Sequence, residues 1–144
     1  MNEYLIREAK LTDASVIAHL VTQLGYPTSS SEMENRLQII LAHPDHIIFV
    51  AEVSSTVVGL VGAYTGYSIG FTGTYGRLIG LVVDVQWRGR GIGKMLMEQI
   101  ERWLREKGAT RIIITSGKQR TEAHRFYEAL GYTETGVRFV KRLS

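Results

Sequence analysis

The chain has 144 residues, a formal net charge of +3 and 44% hydrophobic residues, so we expect residues 1–144 to form a single domain with one core. It has no cysteines, which excludes disulfides and thiol catalysis, and no apolar run long enough to span a bilayer. No signal peptide is evident, so a cytoplasmic protein is favoured, and so small a charge excess gives little reason to expect a nucleic-acid partner.

The first forty residues predict a short strand followed by two helices. Residues 4–7 favour the strand. Thr12 or Asp13 is expected to cap the first helix, because apolar residues recur after them at helical spacing. The serines at 29–31 are expected to cap the second helix, whose first turn carries acids where the helix dipole favours them.

The middle of the chain predicts three strands. Residues 46–53 and 56–64 are rich in β-branched residues, and the two serines between them suit a tight hairpin turn. Residues 66–76 predict a loop or a ragged strand end, whose aromatic residues either pack on the sheet or line a pocket. Residues 78–85 are almost uniformly apolar, which favours a central strand.

The last third predicts two helices and two strands. A helix at 91–107 has one apolar face and ends at Gly108, which suits a left-handed cap. A strand at 110–115, a helix at 119–130 and a final strand at 135–143 follow. The order β-α-α-β-β-β-α-β-α-β predicts a mixed α/β fold, with a mostly antiparallel mixed sheet flanked by helices.

Glycines and cations alternate between the third predicted helix and the strand before it. Glycine lets backbone amides approach a ligand, and a helix N-terminus favours an anion. Cations at that end oppose the helix dipole, each at a cost of about 0.3–1 kcal/mol, which a ligand with several phosphates would offset. The glycines are Gly89, Gly91 and Gly93, and the cations are Arg88, Arg90 and Lys94.

Two other phosphate-binding motifs do not match this turn. A P-loop requires Ser or Thr after its lysine, and Met95 follows Lys94. A dinucleotide-binding fingerprint has the spacing G-x-G-x-x-G and an acid about 20 residues later, whereas this turn reads G-x-G-x-G and the expected acid falls near Ile113. The turn therefore predicts an anion site of another kind.

A second motif, A-x-x-F-Y-E-x-L-G-Y at residues 123–132, follows the turn R-G-R-G-I-G-K by about 35 residues. This pair of motifs resembles the GNAT superfamily of N-acetyltransferases, and the predicted order of elements is similar to that fold along essentially the whole chain. Residues 115–127 are also locally similar to the branch that acetylates aminoalkylphosphonates and other small amines.

The resemblance implies an acetyl-CoA-dependent enzyme that acetylates a primary amine, most naturally of a small molecule, by direct attack on the thioester. Tyr127 would be the general acid that protonates the departing CoA thiolate. Backbone groups of Leu81, Val82 and Val83 would pair with the pantetheine arm. The residues implied at the rest of the cofactor site are Arg88, Gly89, Arg90, Gly91, Ile92, Gly93, Lys94 and Arg120.

The chain departs from the family's pattern at two places. Many relatives have Asn where this chain has Arg120, and many have an acid on the central strand near the positions of Arg77 or Gly80, where it acts as general base. The base is therefore unassigned. The candidates are Asp84, Glu52, Tyr75 and His124.

Other functions stay open at this stage. A protein or peptide acceptor is one alternative, and a CoA-binding module without turnover is another. We expect no metal site, because Pro44 interrupts the pair His43 and His46 and no third ligand is evident. A homodimer is left open.

Overall fold

The computed structural model describes residues 3–116 and 121–144. The chain forms two compact units, Met1–Ile113 and Ile114–Ser144.

The first unit contains a five-stranded mixed sheet in the order β1-β2-β3-β4-β5. Each of the first four strands is antiparallel to its neighbour, and β5 pairs with β4 in parallel. The strands are β1 Tyr4–Glu8, β2 His46–Val53, β3 Thr56–Tyr67, β4 Thr74–Val83 and β5 Ala109–Ile113.

Three α-helices belong to this unit: α1 Ala14–Leu24, α2 Ser30–Ala42 and α3 Ile92–Glu106. Short 3-10 helices at Leu11–Asp13 and Val85–Trp87 precede α1 and α3. The second unit contains α4, Thr121–Ala129.

The helices of the first unit cover both faces of the sheet. Buried residues of α1 and α2 form one cluster with Ile48, Val50 and Leu60 of the strands. Gly59 lies next to Leu60 and faces the other way, because a Cβ on Gly59 would meet Leu96 of α3 at 3.2 Å. The helices α1 and α2 therefore pack on one face, and α3 packs on the other.

A close approach of backbone and helix fixes α3 on the sheet. A Cβ on Gly76 of β4 would lie 2.5 Å from Cδ1 of Leu104, so any other residue at 76 would force the side chain of Leu104 to move. Ile92, Leu96 and Ile100 are spaced four residues apart on the same buried face.

The predicted class, a mixed α/β fold with a mostly antiparallel sheet flanked by helices, is confirmed. The hairpin turn is confirmed as well: Ser54 and Ser55 have φ values of 49° and 66° and connect β2 to β3. The predicted loop at 66–76 was too long, because β3 continues to Tyr67 and β4 begins at Thr74. The ladder between these two strands extends to their ends.

The predicted final strand at 135–143 is wrong. Residues 133–144 are all described, and none belongs to a helix or strand. Their β-branched and aromatic side chains favour a strand, but a strand also needs a neighbour to pair with its backbone N–H and C=O groups.

The predicted helix caps differ in outcome. Ser29 accepts a hydrogen bond from the N–H of Glu32, and Glu32 accepts one from the N–H of Ser29, which completes a capping box at α2. Asp13 occupies the capping position of α1 but makes no side-chain cap. Its carboxylate instead accepts two hydrogen bonds from Arg7, at 2.9 and 3.0 Å, and one from the N–H of Lys10.

This ion pair connects β1 to the beginning of α1. The hydrogen bonds from Arg7 hold the pKa of Asp13 below its usual value; burial acts in the opposite direction, and the N–H of Lys10 adds to the lowering. Asp13 is buried, and Arg7 also donates a hydrogen bond to Glu52 of β2 at 3.2 Å.

We expect Asp13→Asn to lower the free energy of unfolding at pH 7 by about 1.5–3 kcal/mol, because it removes a charge-assisted pair from a buried site. The wild type should lose this contribution as the pH falls from about 4 through the lowered pKa of Asp13, because the carboxylate is protonated first in the unfolded chain. The variant should lack this loss. Urea unfolding between pH 3 and 7 measures both, and Glu8→Gln, which changes an exposed acid nearby, is the control.

Candidate active site

The site begins where β4 separates from β5. The parallel ladder ends at the pair Arg77 and Ile113, although β4 continues to Val83. From Leu78 onward, β3 is the only neighbour of β4 among the described strands. A β-bulge lies at the point of separation, because Gly80 pairs with Gly62 and Leu78 pairs with Ala63, leaving Ile79 as the extra residue.

The exposed edge of β4 carries backbone groups available to a ligand. The N–H of Asp84 donates to the carbonyl of Val58 on β3, at 2.8 Å. Because alternate residues of a strand direct their backbone groups to opposite edges, Val83 and Leu81 direct theirs away from β3. In agreement, Nε of Arg88 donates to the carbonyl of Val83 at 3.1 Å.

The turn after β4 is built around glycine. Asp84 caps the 3-10 helix by accepting a hydrogen bond from the N–H of Gln86 at 2.9 Å. Gly89 and Gly91 then adopt φ values of 77° and 82°, which favour glycine. A Cβ at either position would have nothing within 4 Å, so open space surrounds both backbones.

The N-terminus of α3 points its amides into this turn. Gly91 is the capping residue, and its carbonyl accepts the first helical hydrogen bond, from the N–H of Met95. The amides of Ile92, Gly93 and Lys94 therefore have no acceptor within the helix. No acid lies in the first turn.

All three cations predicted here are exposed in the turn. Lys94 lies in the first turn of α3, the guanidinium of Arg90 lies 4.6 Å above the ring of Trp87, and Arg88 holds the edge of β4. The turn thus combines free amides, a helix dipole and positive charge, which together make an anion site.

A cavity of about 180 Å³ lies between α1, α2 and the sheet. The helices contribute Ile17, Val21, Leu24, Met33 and Ile40, and the strands contribute Ile48, Leu60, Gly62, Ile79 and Gly80. Tyr26 and Arg36 complete the lining and are themselves exposed. The bulge at Ile79 is thus part of the cavity wall.

Of the four candidate bases, the three that belong to the first unit do not line this cavity. Asp84 caps the 3-10 helix and accepts a hydrogen bond from Nε2 of Gln23 at 3.1 Å. Glu52 pairs with Arg7, and Tyr75 contacts the rings of Tyr64 and Phe71. His124 belongs to the second unit.

Tyr127 lies on α4, in the second unit. Together with Phe126 it is half-buried, whereas Arg125 and Glu128 are exposed, so the helix has one apolar face. The rings of Phe126 and Tyr132 lie 5.4 and 5.9 Å from that of Tyr127. The helix ends as predicted at Gly131, with a φ of 95°. Arg120 lies outside the described residues.

His43 and His46 contact each other, with ring centroids 4.8 Å apart. Burial, and secondarily His43, lower the pKa of His46. Within residues 3–116 and 121–144 there is no group of three or more side chains that could hold a metal ion. None of the helices in those ranges is long and apolar enough to cross a membrane.

The resemblance in the sequence implied an acetyltransferase that uses acetyl-CoA, and the mixed sheet, the separated strand and a turn suited to an anion agree with that fold. The chain belongs to the acetyltransferase (GNAT) family, whose model matches residues 14–132. It is an N-acetyltransferase by this membership, as the resemblance in the sequence predicted.

Two relatives and one solved structure illustrate the match. An IAA acetyltransferase of Azospirillum brasilense is 34% identical over 139 residues, which cover 94% of this chain and 87% of the relative. An aminoalkylphosphonate N-acetyltransferase of Salmonella typhimurium is 32% identical over 60% of this chain and 56% of its own length. The structure of an aminoglycoside N-acetyltransferase with CoA superposes with a TM-score of 0.88 at 23% identity, covering 100% of this chain and 97% of the other, and so supports the fold.

Two features of the site were not predicted from the sequence. The cavity is walled by five elements that are distant in the chain, and no local pattern marks it. Gln23 of α1 accepts a hydrogen bond from the N–H of Val85 at 3.0 Å, besides donating to Asp84, and so connects α1 to the beginning of the turn. The segment where α1 ends and leads to α2 also borders the cavity, through Leu24 and Tyr26.

We expect Lys94→Gln to raise the free energy of unfolding of the free protein by about 0.3–1 kcal/mol, because it removes a cation from the positive end of α3. Lys107→Gln, at the other end of the same helix, should lower it, because a cation there favours the dipole. Chemical denaturation of both variants at low salt measures the difference. Equal signs for the two variants would contradict the dipole argument.

Proposed function

We propose that residues 1–144 act as one domain that transfers the acetyl group of acetyl-CoA to a primary amine of a small molecule. The observation that carries this proposal is the apolar cavity at the bulge of β4, on the strand whose exposed edge leads into the anion-binding turn. The strand β4 would thus contact the cofactor along its exposed edge and the acceptor at its bulge.

The cofactor half of the proposal rests on the backbone. Leu81 and Val83 offer N–H and C=O groups at the exposed edge, where the pantetheine arm would add like a strand, while Val82 is directed to β3. The amides from Gly89 to Lys94 would bind the pyrophosphate, assisted by Arg88 and Arg90. The open space around Gly89 and Gly91 fits a group of this size. Arg120, from the sequence alone, is proposed as a further contact.

The acceptor half rests on the cavity. Its volume of about 180 Å³ suits one small group, whereas a peptide acceptor generally lies along a groove. The bulge at Ile79 frees a backbone amide at its wall, and such an amide can steady the oxyanion formed during acyl transfer. A small molecule is therefore favoured over a protein N-terminus or a lysine side chain.

In the proposed reaction, the nitrogen of the neutral amine attacks the thioester carbon. The C–N bond forms, the C–S bond breaks, and Tyr127 gives its phenolic proton to the departing thiolate. The amine releases its own extra proton to solvent. Among the described residues, no carboxylate or imidazole lines the cavity, so the amine is expected to bind in its neutral form.

We expect acetyl-CoA at 100 times its Kd to raise the free energy of unfolding by about 2.7 kcal/mol. Lys94→Gln should weaken binding of acetyl-CoA, although it stabilises the free protein, whereas Lys107→Gln should leave the affinity unchanged. Calorimetric titration at two salt concentrations measures both. No binding at millimolar acetyl-CoA would overturn the proposal.

We expect Tyr127→Phe to reduce kcat by about 100-fold or more and to retain the affinity for acetyl-CoA, because only the proton donor is lost. Tyr132→Phe, which removes a phenol from a ring beside Tyr127, is the matched control and should keep most of the activity. Release of free CoA in the presence of an amine panel gives the rate. Unchanged turnover in Tyr127→Phe would exclude Tyr127 as the acid.

A CoA-binding module without turnover is the second candidate, because no carboxylate of the described residues lines the cavity. It predicts tight binding of acetyl-CoA with no acceleration of CoA release by any amine. The same panel therefore separates the two functions.

A further inference from the structure

We propose that the acceptor amine carries one apolar group, about the size of an aromatic ring, and an anionic group that Arg36 binds. This inference rests on the proposed function and names the substrate class for the same site. It is drawn from the volume of the cavity, the chemistry of its walls and the position of its one cation.

The volume limits the apolar group. A cavity of about 150 Å³ lined by aliphatic and aromatic residues holds one benzene molecule. The cavity here measures about 180 Å³, so it accommodates one ring or a branched chain of similar size, and not a sugar with several rings.

The walls select against polar groups. Of the twelve residues that line the cavity, eight are aliphatic or methionine and two are glycine. A hydroxyl or a second ammonium placed there would lose its hydration without gaining a partner, which is costly. Polyamines and aminoglycosides carry several such groups and fit this cavity poorly.

The one cation stands at the mouth. Arg36 lines the cavity and is exposed, and its Nη1 donates to Oγ1 of Thr28 at 3.1 Å, which holds the guanidinium at the α1–α2 connection. Among the described residues no acid lies within ion-pair distance of it. Glu32, one turn earlier on α2, caps Ser29, whose hydrogen bonds lower the pKa of that carboxylate, and the charge of Arg36 adds to the lowering.

A guanidinium in this position attracts an anion and repels a second ammonium. It has five N–H donors in a planar fork, which suits a carboxylate or a phosphonate. With the ring in the cavity and the anion at Arg36, the amine would lie at the same cavity, whose wall includes the bulge at Ile79.

The test uses four amines that separate the two features. L-Phenylalanine has a ring and a carboxylate, 2-phenylethylamine has the ring alone, and L-alanine and 2-aminoethylphosphonate have an anion without a ring. We expect kcat/KM for L-phenylalanine to exceed that for L-alanine by about 10- to 100-fold, as burial of a ring predicts. Spermidine and kanamycin should be poorer than L-phenylalanine.

Three variants assign the features to residues. Arg36→Gln should raise KM for L-phenylalanine by about fivefold and leave KM for 2-phenylethylamine unchanged, because only the former has an anion to lose. Ile40→Ala should shift the preference toward a larger ring, such as that of L-tryptophan, because Ile40 lines the cavity. Ile39→Ala, which changes the exposed neighbour, should shift nothing.

The outcome separates this inference from the proposed function. Faster acetylation of spermidine or kanamycin than of L-phenylalanine would overturn the substrate class and leave the acetyltransferase proposal intact. An Arg36→Gln variant with equal losses on all four amines would overturn the role of Arg36.

A second experiment does not depend on turnover. Calorimetry measures the binding of acetyl-CoA, and of 3-phenylpropionate as an acceptor analogue without an amine. Absence of 3-phenylpropionate binding would overturn the inference even in an inactive preparation.

Discussion

The separation of β4 from β5 after Arg77 is the constraint on which the site depends. A strand inside a sheet has its backbone groups satisfied on both sides, and an edge without a neighbour invites an added strand. Here β4 pairs with β5 at Thr74, Gly76 and Arg77, with a register shift between Thr74 and Gly76, and this pairing holds β4 at one end. The remaining half of β4 keeps only β3, so the same strand is structural at its beginning and available for binding at its end.

The helix α3 places a positively charged N-terminus just after the exposed edge of β4. Its position depends on Gly59 and Gly76, where the helix lies against bare backbone, and this packing carries the stability of the helix. Its N-terminus can therefore tolerate Lys94 and the neighbouring arginines, which oppose the dipole and would weaken a helix stabilised by local effects alone. The packing of one face of α3 thus offsets the electrostatic cost of the cations at its N-terminus when no anion is bound.

The parts of the fold that local chemistry determines were predictable from the sequence. The cap at Ser29, the left-handed glycines at 108 and 131, and the glycine-rich turn all follow from short patterns, and the structure has them. Long-range pairing was not predictable. The final strand was expected from propensity alone, and the end of the β4–β5 ladder at Arg77 and the bulge at Ile79 have no signature in the residues themselves. The cavity arises from the packing of five separate elements, so it became visible only in three dimensions.

Gly80 connects the two unusual features of the acceptor side. The sequence lacks an acid on the central strand at this position, and the structure shows that Gly80 lines the cavity, where an added Cβ would have Leu24 as its nearest neighbour, at 4.0 Å. A carboxylate built on that Cβ would project into a cavity whose lining is apolar except for Tyr26 and Arg36, so it would lose hydration there. The missing acid and the apolar cavity are therefore one feature. If the proposed acceptor amine binds in this cavity, desolvation would disfavour its ammonium form and lower its pKa, which would reduce the need for the base that the acid would have supplied.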